Sequence, residues 1–268
     1  KNINLFESTR DDTNLFSLTE TKKLLDDFKP DIIVNSAAKV GGILANDLQR
    51  TEFILNNLKI NINIIESLIE FPEIKLINLG SSCIYPLGAE VPITESSLLT
   101  GKLEPTNSPY AMAKLTAIEM GDAISKQYGH EVIDLMPTNL YGPNDNFSEN
   151  ESHVIPGLIS RMHRAKVENK NTFEVWGTGA PLREFLYVDD LAKAIEFTIV
   201  NNVAPGLYNI GSNEEVTIKI LVENIKSVIE YPGEIVFDNT KPDGNPRKLL
   251  DSTKFTSLGW KPTIKLSE

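Results

Sequence analysis

One cysteine, Cys83, stands among 268 residues, which excludes an intrachain disulfide and any metal site of the CxxC kind. No apolar run approaches the roughly 18–20 residues that a membrane-spanning helix needs. The opening "KNINLFESTRDD" also lacks the apolar core of a signal peptide. Positive charge is in deficit, with 26 Lys and Arg against 37 Asp and Glu and a formal net charge of -11. A broad basic face for nucleic acid or an anionic membrane is thereby excluded, and an anionic ligand must be met by a few local Arg and Lys side chains. These absences together predict a cytoplasmic enzyme or binding protein without a bound metal.

A further absence concerns local structure. A doubly wound dinucleotide-binding fold opens with a strand, a glycine-rich turn and a helix, with the pyrophosphate on the helix N-terminus. No GxGxxG or GxxGxxG occurs here, and the first residues read instead as the approach to a second strand. Two readings stay open at this point: a chain shorter than its fold, or a fold that holds no dinucleotide.

What is present is a regular alternation. Short Ile- and Val-rich runs at 31–37, 75–81, 131–137, 173–177 and 207–212 alternate with helix-period segments near 46–70, 109–127, 154–167, 189–200 and 217–230. That alternation predicts an α/β chain with a doubly wound parallel sheet of Rossmann type. From residue 142 the pattern loosens into "GPNDNFSENESH" and later "DNTKPDGNPRK". The expected division is a dinucleotide-binding unit over 1–141 and about 172–203, with a smaller, partly interleaved α+β substrate unit over about 142–171 and 204–268.

"EPTNSPYAMAK" reads as a helix start, with Ser108 as N-cap and Pro109 at the first helical position. Tyr110 and Lys114 then lie one turn apart on one face. An ammonium beside a phenol favours the phenolate, which makes the hydroxyl a usable proton donor near neutral pH. YxxxK alone fits any amphipathic helix. The preceding "GSS", however, puts Ser81 at the carboxyl edge of a strand, where open α/β sheets bind ligands. Ser81, Tyr110 and Lys114 form the Ser–Tyr–Lys arrangement of short-chain dehydrogenases/reductases. Cys83, two residues beyond Ser81, reads from composition first as a small core residue and second as a reactive thiol.

Seven segments carry a closer resemblance: "AAKVGGILAN", "LGSSCIYP", "LEPTNSPYAMAK", "MPTNLYGPNDNF", "SHVIPGLI", "VWGTGAPLREFLYVDDLA" and "FDNTKPDGNPRKLLD". In order across nearly the whole chain, they resemble the GDP-L-fucose synthases. These are NADPH-dependent 3,5-epimerase-reductases of GDP-4-keto-6-deoxy-D-mannose within the extended short-chain dehydrogenase/reductase superfamily. Two departures accompany the resemblance: the glycine-rich turn is absent, and the chain ends at "GWKPTIKLSE", where that family continues with a helix.

The resemblance implies roles. Cys83 would act as base and His153 as acid in exchanging the protons at C3 and C5, both alpha to the C4 ketone. His130 and His163 would be structural, His130 in a surface turn. Ser81, Tyr110 and Lys114 would serve hydride delivery from NADP(H) to C4. Around that cofactor it implies Arg10, just past a second strand and facing the 2′-phosphate. It adds the small residues Ala37 and Ala38, the stretch Leu79, Gly80, Ser81 and Ser82, the stretch Pro137, Thr138, Asn139 and Leu140, and His153. For the GDP-linked 4-keto-6-deoxy sugar it implies Arg161, Arg183 and Lys248 near the diphosphate. Trp176 would stack on guanine or pack in the core, and Asp243 would touch the nucleotide sugar or simply make a turn. Asp189 and Asp190 read as a helix N-cap pair. A homodimer pairing the helices near 46–70 and 109–127 completes the expectation.

Overall fold

The apolar runs become parallel strands because helices cover both of their faces. The computed structural model describes residues 3–149, 151–241 and 243–268. Along the chain come α1 (Leu18–Phe28), β1 (Ile32–Asn35), α2 (Ile43–Leu48), α3 (Arg50–Leu68), β2 (Lys75–Leu79), α4 (Ser108–Tyr128), β3 (Val132–Pro137) and β4 (Asn139–Tyr141). There follow α5 (Val154–Val167), β5 (Thr172–Trp176), β6 (Leu182–Tyr187), α6 (Val188–Val200) and β7 (Gly206–Ile210). The last elements are β8 (Glu215–Thr217), α7 (Ile218–Ile229), β9 (Glu234–Asp238), β10 (Arg247–Lys248) and α8 (Thr253–Thr256).

A central sheet runs β1-β2-β3-β7, parallel throughout. On one face Leu76 and Val132 pack against Leu25 of α1, Ile60, Ile64 and Leu68 of α3, and Ile124 of α4. On the other, Ile77, Ile133 and Leu135 meet Leu191 and Ala194 of α6, with Phe255 and Trp260 behind. Covered on both sides, β3 is buried at every position. A second core forms where α5 and α7 close over β5 and β6, through Leu158, Met162, Phe173, Phe185, Leu221 and Val222. Each such fully buried side chain contributes about 1.5–3 kcal/mol of transfer free energy.

The five predicted strands and the helices near 109–127, 154–167, 189–200 and 217–230 are present within a few residues. Five expectations change. The helix near 46–70 is two helices, α2 and α3, because Gln49 (φ -114°, ψ 38°) leaves the helical region between them. Residues 3–9 form no strand, and Ile3, Leu5 and Phe6 are exposed. A strand needs a ladder partner, and among the described residues β1 pairs only with β2. Asn107, not Ser108, caps α4, with Ser108 and Pro109 as its first two residues. The Glu104 carboxylate fixes that turn by accepting the Thr106 and Asn107 N–H groups, each at 3.0 Å.

Nor do Asp189 and Asp190 cap α6, which starts after Tyr187 and holds both in its first turn. Asp190 is fully buried and accepts from Thr263 N and Ile264 N, both at 2.8 Å, tying the C-terminal segment to the helix start. His130 lies 3% exposed rather than in a surface turn. The described residues include no helix long and apolar enough to cross a membrane.

Candidate active site

The site forms where β2 and β3 end. Gly80 follows β2 and donates its N–H to Leu135 O at 2.9 Å. A Cβ there would run into the buried Met136 thioether, which fills the space over Gly80. Ser81 then caps a single 3₁₀ turn, Ser82–Ile84, its Oγ accepting from Cys83 N at 3.2 Å. One turn thus fixes the serine hydroxyl and the thiol together.

From the facing helix α4, Lys114 is 3% exposed and donates from Nζ to Leu79 O at 2.7 Å. Burial pushes the Lys114 ammonium down to about 8, with Asp134 opposing the shift. Tyr110, one turn earlier, meets the Phe53 ring edge-on with centroids 6.2 Å apart. Burial raises the Tyr110 phenol above its ordinary value, Cys83 adds to the rise, and a hydrogen bond with Ser81 works against it. The expected depression of this phenol by Lys114 is therefore absent, because Lys114 directs its ammonium to the β2 carbonyl. At neutral pH Tyr110 is a protonated phenol, the form that donates.

His153 arrives from another direction. It caps α5, with its side chain exposed. The segment before it packs on the loop after β1: Gly42 N donates to Glu151 O at 2.9 Å, and a Cβ on Gly42 would strike the Ser152 carbonyl. The same loop reaches α3 through Lys39, whose Nζ lies 5.3 Å from the Phe53 ring centroid. Phe53 therefore links the loop carrying the His153 segment to Tyr110. The protein around the imidazole lowers the His153 pKa below the ordinary histidine value, with Asp145 pulling the other way.

Lys248 comes from β10. Its Nζ lies 3.7 Å from Cys83 Sγ, at the thiol itself. Its ladder partner Arg183 on β6 donates to Leu182 O at 2.8 Å, and burial lowers the Arg183 pKa against the pull of Asp243. The Asp243 carboxylate accepts from Thr178 N (2.7 Å) and Thr178 Oγ1 (2.8 Å), so it builds a turn while lying near Arg183. Trp176 is 61% exposed, with Lys241 Nζ 5.6 Å above its ring, which removes the core reading. Arg161 lies over Phe173 on α5, its guanidinium 5.4 Å from the ring centroid and its pKa lowered by burial.

Residues expected around a dinucleotide fall at the carboxyl ends of β1, β2 and β3. Ala37 and Ala38 follow β1 half-buried, and Leu79, Gly80 and Ser82 line the end of β2. Pro137 ends β3. Thr138 Oγ1 and Asn139 Nδ2 both donate to Glu184 O, at 3.2 and 2.9 Å, and Leu140 continues in β4. Arg10 is exposed in the turn at 10–12, with no strand before it. Ribose hydroxyls fit this donor set: Lys114 carries three N–H groups and gives one to Leu79 O among the described residues.

Three participants escaped sequence reasoning: Phe53, the Ser152 contact of Gly42, and Asp134. Phe53 and Asp134 lie outside every quoted motif, and the Gly42–Ser152 contact joins two motifs whose meeting only the fold shows. Among the described residues, no group of three or more His, Cys, Asp or Glu side chains could hold a metal ion.

The model of the NAD dependent epimerase/dehydratase family matches residues 3–211. The probable GDP-L-fucose synthase 1 of Oryza sativa subsp. japonica is 51% identical over 240 residues, covering 89% of this chain and 73% of the rice protein. The GDP-L-fucose synthase of Escherichia coli (strain K12) is 44% identical over 273 aligned positions, covering 98% and 85% of the two chains. The NADP-bound crystal structure of a GDP-L-fucose synthetase from Naegleria fowleri superposes with a TM-score of 0.84 at 29% identity, over 96% of this chain and 80% of that one.

Proposed function

This chain belongs to the NAD dependent epimerase/dehydratase family, and from that premise we propose that it is a GDP-L-fucose synthase. It converts GDP-4-keto-6-deoxy-D-mannose to GDP-L-fucose by C3/C5 epimerisation and NADPH-dependent reduction at C4. The observation that carries this reading is the shared turn that holds Ser81 and Cys83 one residue apart, beneath Tyr110 and Lys114. A 4-epimerase or 4,6-dehydratase of the superfamily has use for the Ser–Tyr–Lys set but none for a thiol there.

Bound NADP(H) supplies the hydride. Lys114 has two further N–H groups for the nicotinamide ribose, and residues 79–82 and 137–140 border the same space. Arg10, Ala37 and Ala38 are assigned to the adenosine end. Tyr110, protonated at neutral pH, donates its proton to the oxygen at C4, and Ser81 hydrogen-bonds that oxygen as negative charge develops.

The epimerising step falls to Cys83 as base and His153 as acid. Abstraction alpha to the ketone gives an enolate, and inversion follows when a proton returns to the opposite face. Lys248, at 3.7 Å, partners a thiolate at Cys83. Arg161 and Arg183 are assigned to the diphosphate, which a guanidinium can hold through two parallel hydrogen bonds. Trp176 offers an exposed ring to guanine, and Asp243 orders the adjoining turn.

We place the chain in the cytosol as a homodimer. Support for the dimer is a groove between α3 and α4, lined by Arg50, Ile54, Pro109 and Met112, beside exposed Leu48, Leu55 and Ile62. Light scattering of the purified protein decides it, a monomer mass being the adverse result. The function itself is tested by NMR of GDP-4-keto-6-deoxy-D-mannose incubated with the protein and NADPH in deuterated water. GDP-fucose deuterated at both C3 and C5 is expected. A reduced product without deuterium at those carbons would sink the epimerase half.

A further inference from the structure

Adjacent parallel strands set a polar row against the α3/α4 layer. Asn35 on β1, Asn78 on β2 and Asp134 on β3 are direct register partners. They share the face of Leu76 and Val132, which otherwise packs apolar side chains. Asn61 of α3 closes the far end. All four are 5% exposed or less.

The hydrogen bonds in this row have a direction. Asn78 Nδ2 donates to Asp134 Oδ1 at 2.9 Å, and Asn78 Oδ1 accepts from Asn35 Nδ2 at 3.0 Å. Asn35 Nδ2 also donates to Asn61 Oδ1 at 3.1 Å, while Asn35 Oδ1 accepts from Ala37 N at 3.2 Å. An ionised carboxylate can only accept, which orients the Asn78 amide and, through it, that of Asn35. The two strand amides are therefore polarised toward Asp134, an arrangement that favours negative charge there.

A buried charge is costly unless it has a counter-charge. From α4, buried Lys114 reaches Leu79 O, the carbonyl of the residue after Asn78. The two groups make no direct ion pair; they are held on consecutive residues of β2, the carboxylate by the Asn78 side chain and the ammonium by the Leu79 carbonyl, and across that short separation each favours the charged form of the other. Among the described residues the surrounding elements add no other charge: β1, β2 and α3 present Asn35, Asn78 and Asn61, while α4 and the turn after β2 present Tyr110 and Cys83.

We propose that Asp134, oriented by the buried Asn78–Asn35 row, is a positioning residue for C4 reduction that keeps the Lys114 ammonium charged beside Tyr110. The proposal rests on the reductase reading of the Ser81, Tyr110 and Lys114 site. Burial pushes Asp134 up to about 6 and Lys114 down to about 8, so both are charged between those values. Below that window Asp134 takes up a proton and the counter-charge is lost. Above it Lys114 is neutral.

The test is a titration of the full chain carrying lysine labelled with carbon-13 at Cε. The Lys114 resonance is identified by its loss in Lys114→Arg. In Asp134→Asn, which keeps size and hydrogen-bonding capacity, the Lys114 midpoint should fall by roughly one pH unit. The alkaline limb of C4 reduction should fall with it, while deuterium exchange at C3 and C5 keeps its profile. A Lys114 midpoint unchanged in Asp134→Asn overturns the proposal. Should that variant fail to fold, Asn78→Ser removes the amide that steadies the carboxylate, and the midpoint must again fall. If the midpoint falls but the wild-type chain reduces no ketone, the reductase reading fails and the charge pairing stands.

Discussion

Lys114 and His153, both assigned to proton chemistry, differ in enclosure. Lys114 is 3% exposed, locked to the Leu79 carbonyl beneath a helix packed on the sheet. His153 heads α5 as an exposed residue, on a segment that packs against Gly42 through residues 151–152, and the protein around its imidazole still lowers its pKa. The same division extends outward. Ser81 and Tyr110 share the sheet frame, whereas Trp176 and Asp243 sit exposed at a strand end and in a loop. Delivery of a proton to one oxygen rewards a fixed geometry. Exchange at two carbons asks a single thiol and imidazole to serve two atoms, which a freer side chain accommodates.

The largest effects should come from separating the halves chemically. Tyr110→Phe should slow reduction by about 10²–10⁴-fold while deuterium still enters C3 and C5. Cys83→Ser should do the converse, lowering exchange by a similar factor with NADPH binding intact. Parallel loss of both activities in either variant would erase the comparison. Phe53→Ala comes next. Phe53 is 1% exposed and touches Tyr110, so its truncation should cost about 3–5 kcal/mol in denaturant unfolding.

Gly80→Ala should cost about 1–3 kcal/mol by driving a Cβ into Met136, and the same substitution should cost less in a Met136→Ala background, where the clash is gone. A smaller effect sharpens the contrast at His153. Its lowered pKa leaves little imidazolium at neutral pH, so exchange should gain on reduction as the pH falls below the ordinary histidine value. A constant ratio of the two rates would remove His153 from the acid role.

The smallest effect involves buried His130, whose pKa burial depresses against the opposing pull of the Ile74 backbone and Glu73. The unfolded chain then binds a proton at higher pH than the folded one, so stability is full above about 6.5 and declines as the pH falls below it. His130→Leu should narrow the difference in melting temperature between neutral and mildly acid buffer.

Residues that must be of one type for local chemistry were legible in the sequence. The Ser81, Tyr110 and Lys114 pattern, the thiol two residues beyond the serine, and the five apolar strands all show as fixed spacings along one segment. Arg183, Asp243 and Lys248 emerged from resemblance, and the structure sets Asp243 near Arg183. The place of Lys248 beside the thiol left no trace in the sequence. Its strand is two residues long, too short to leave a periodic trace, and pairing with β6 carries it to Cys83. Strands β4, β6 and β8 to β10 were missed for a related reason, since short or half-exposed strands in mixed surroundings lack a continuous apolar run.

By itself the sequence determined the parallel α/β architecture, because apolar runs of strand length can be satisfied only between two helical layers. It also determined which side chains could carry proton chemistry, because Ser, Cys, Tyr, Lys and His are few and their spacing places them at strand ends and helix starts. Only the tertiary structure decided their charge states. The burial that raises Tyr110 and lowers Lys114, and the carboxylate of Asp134 that a row of asparagines holds near that lysine, arise from strands and helices distant in sequence. Electrostatic energy depends on distance and dielectric surroundings, and neither is written in the order of residues.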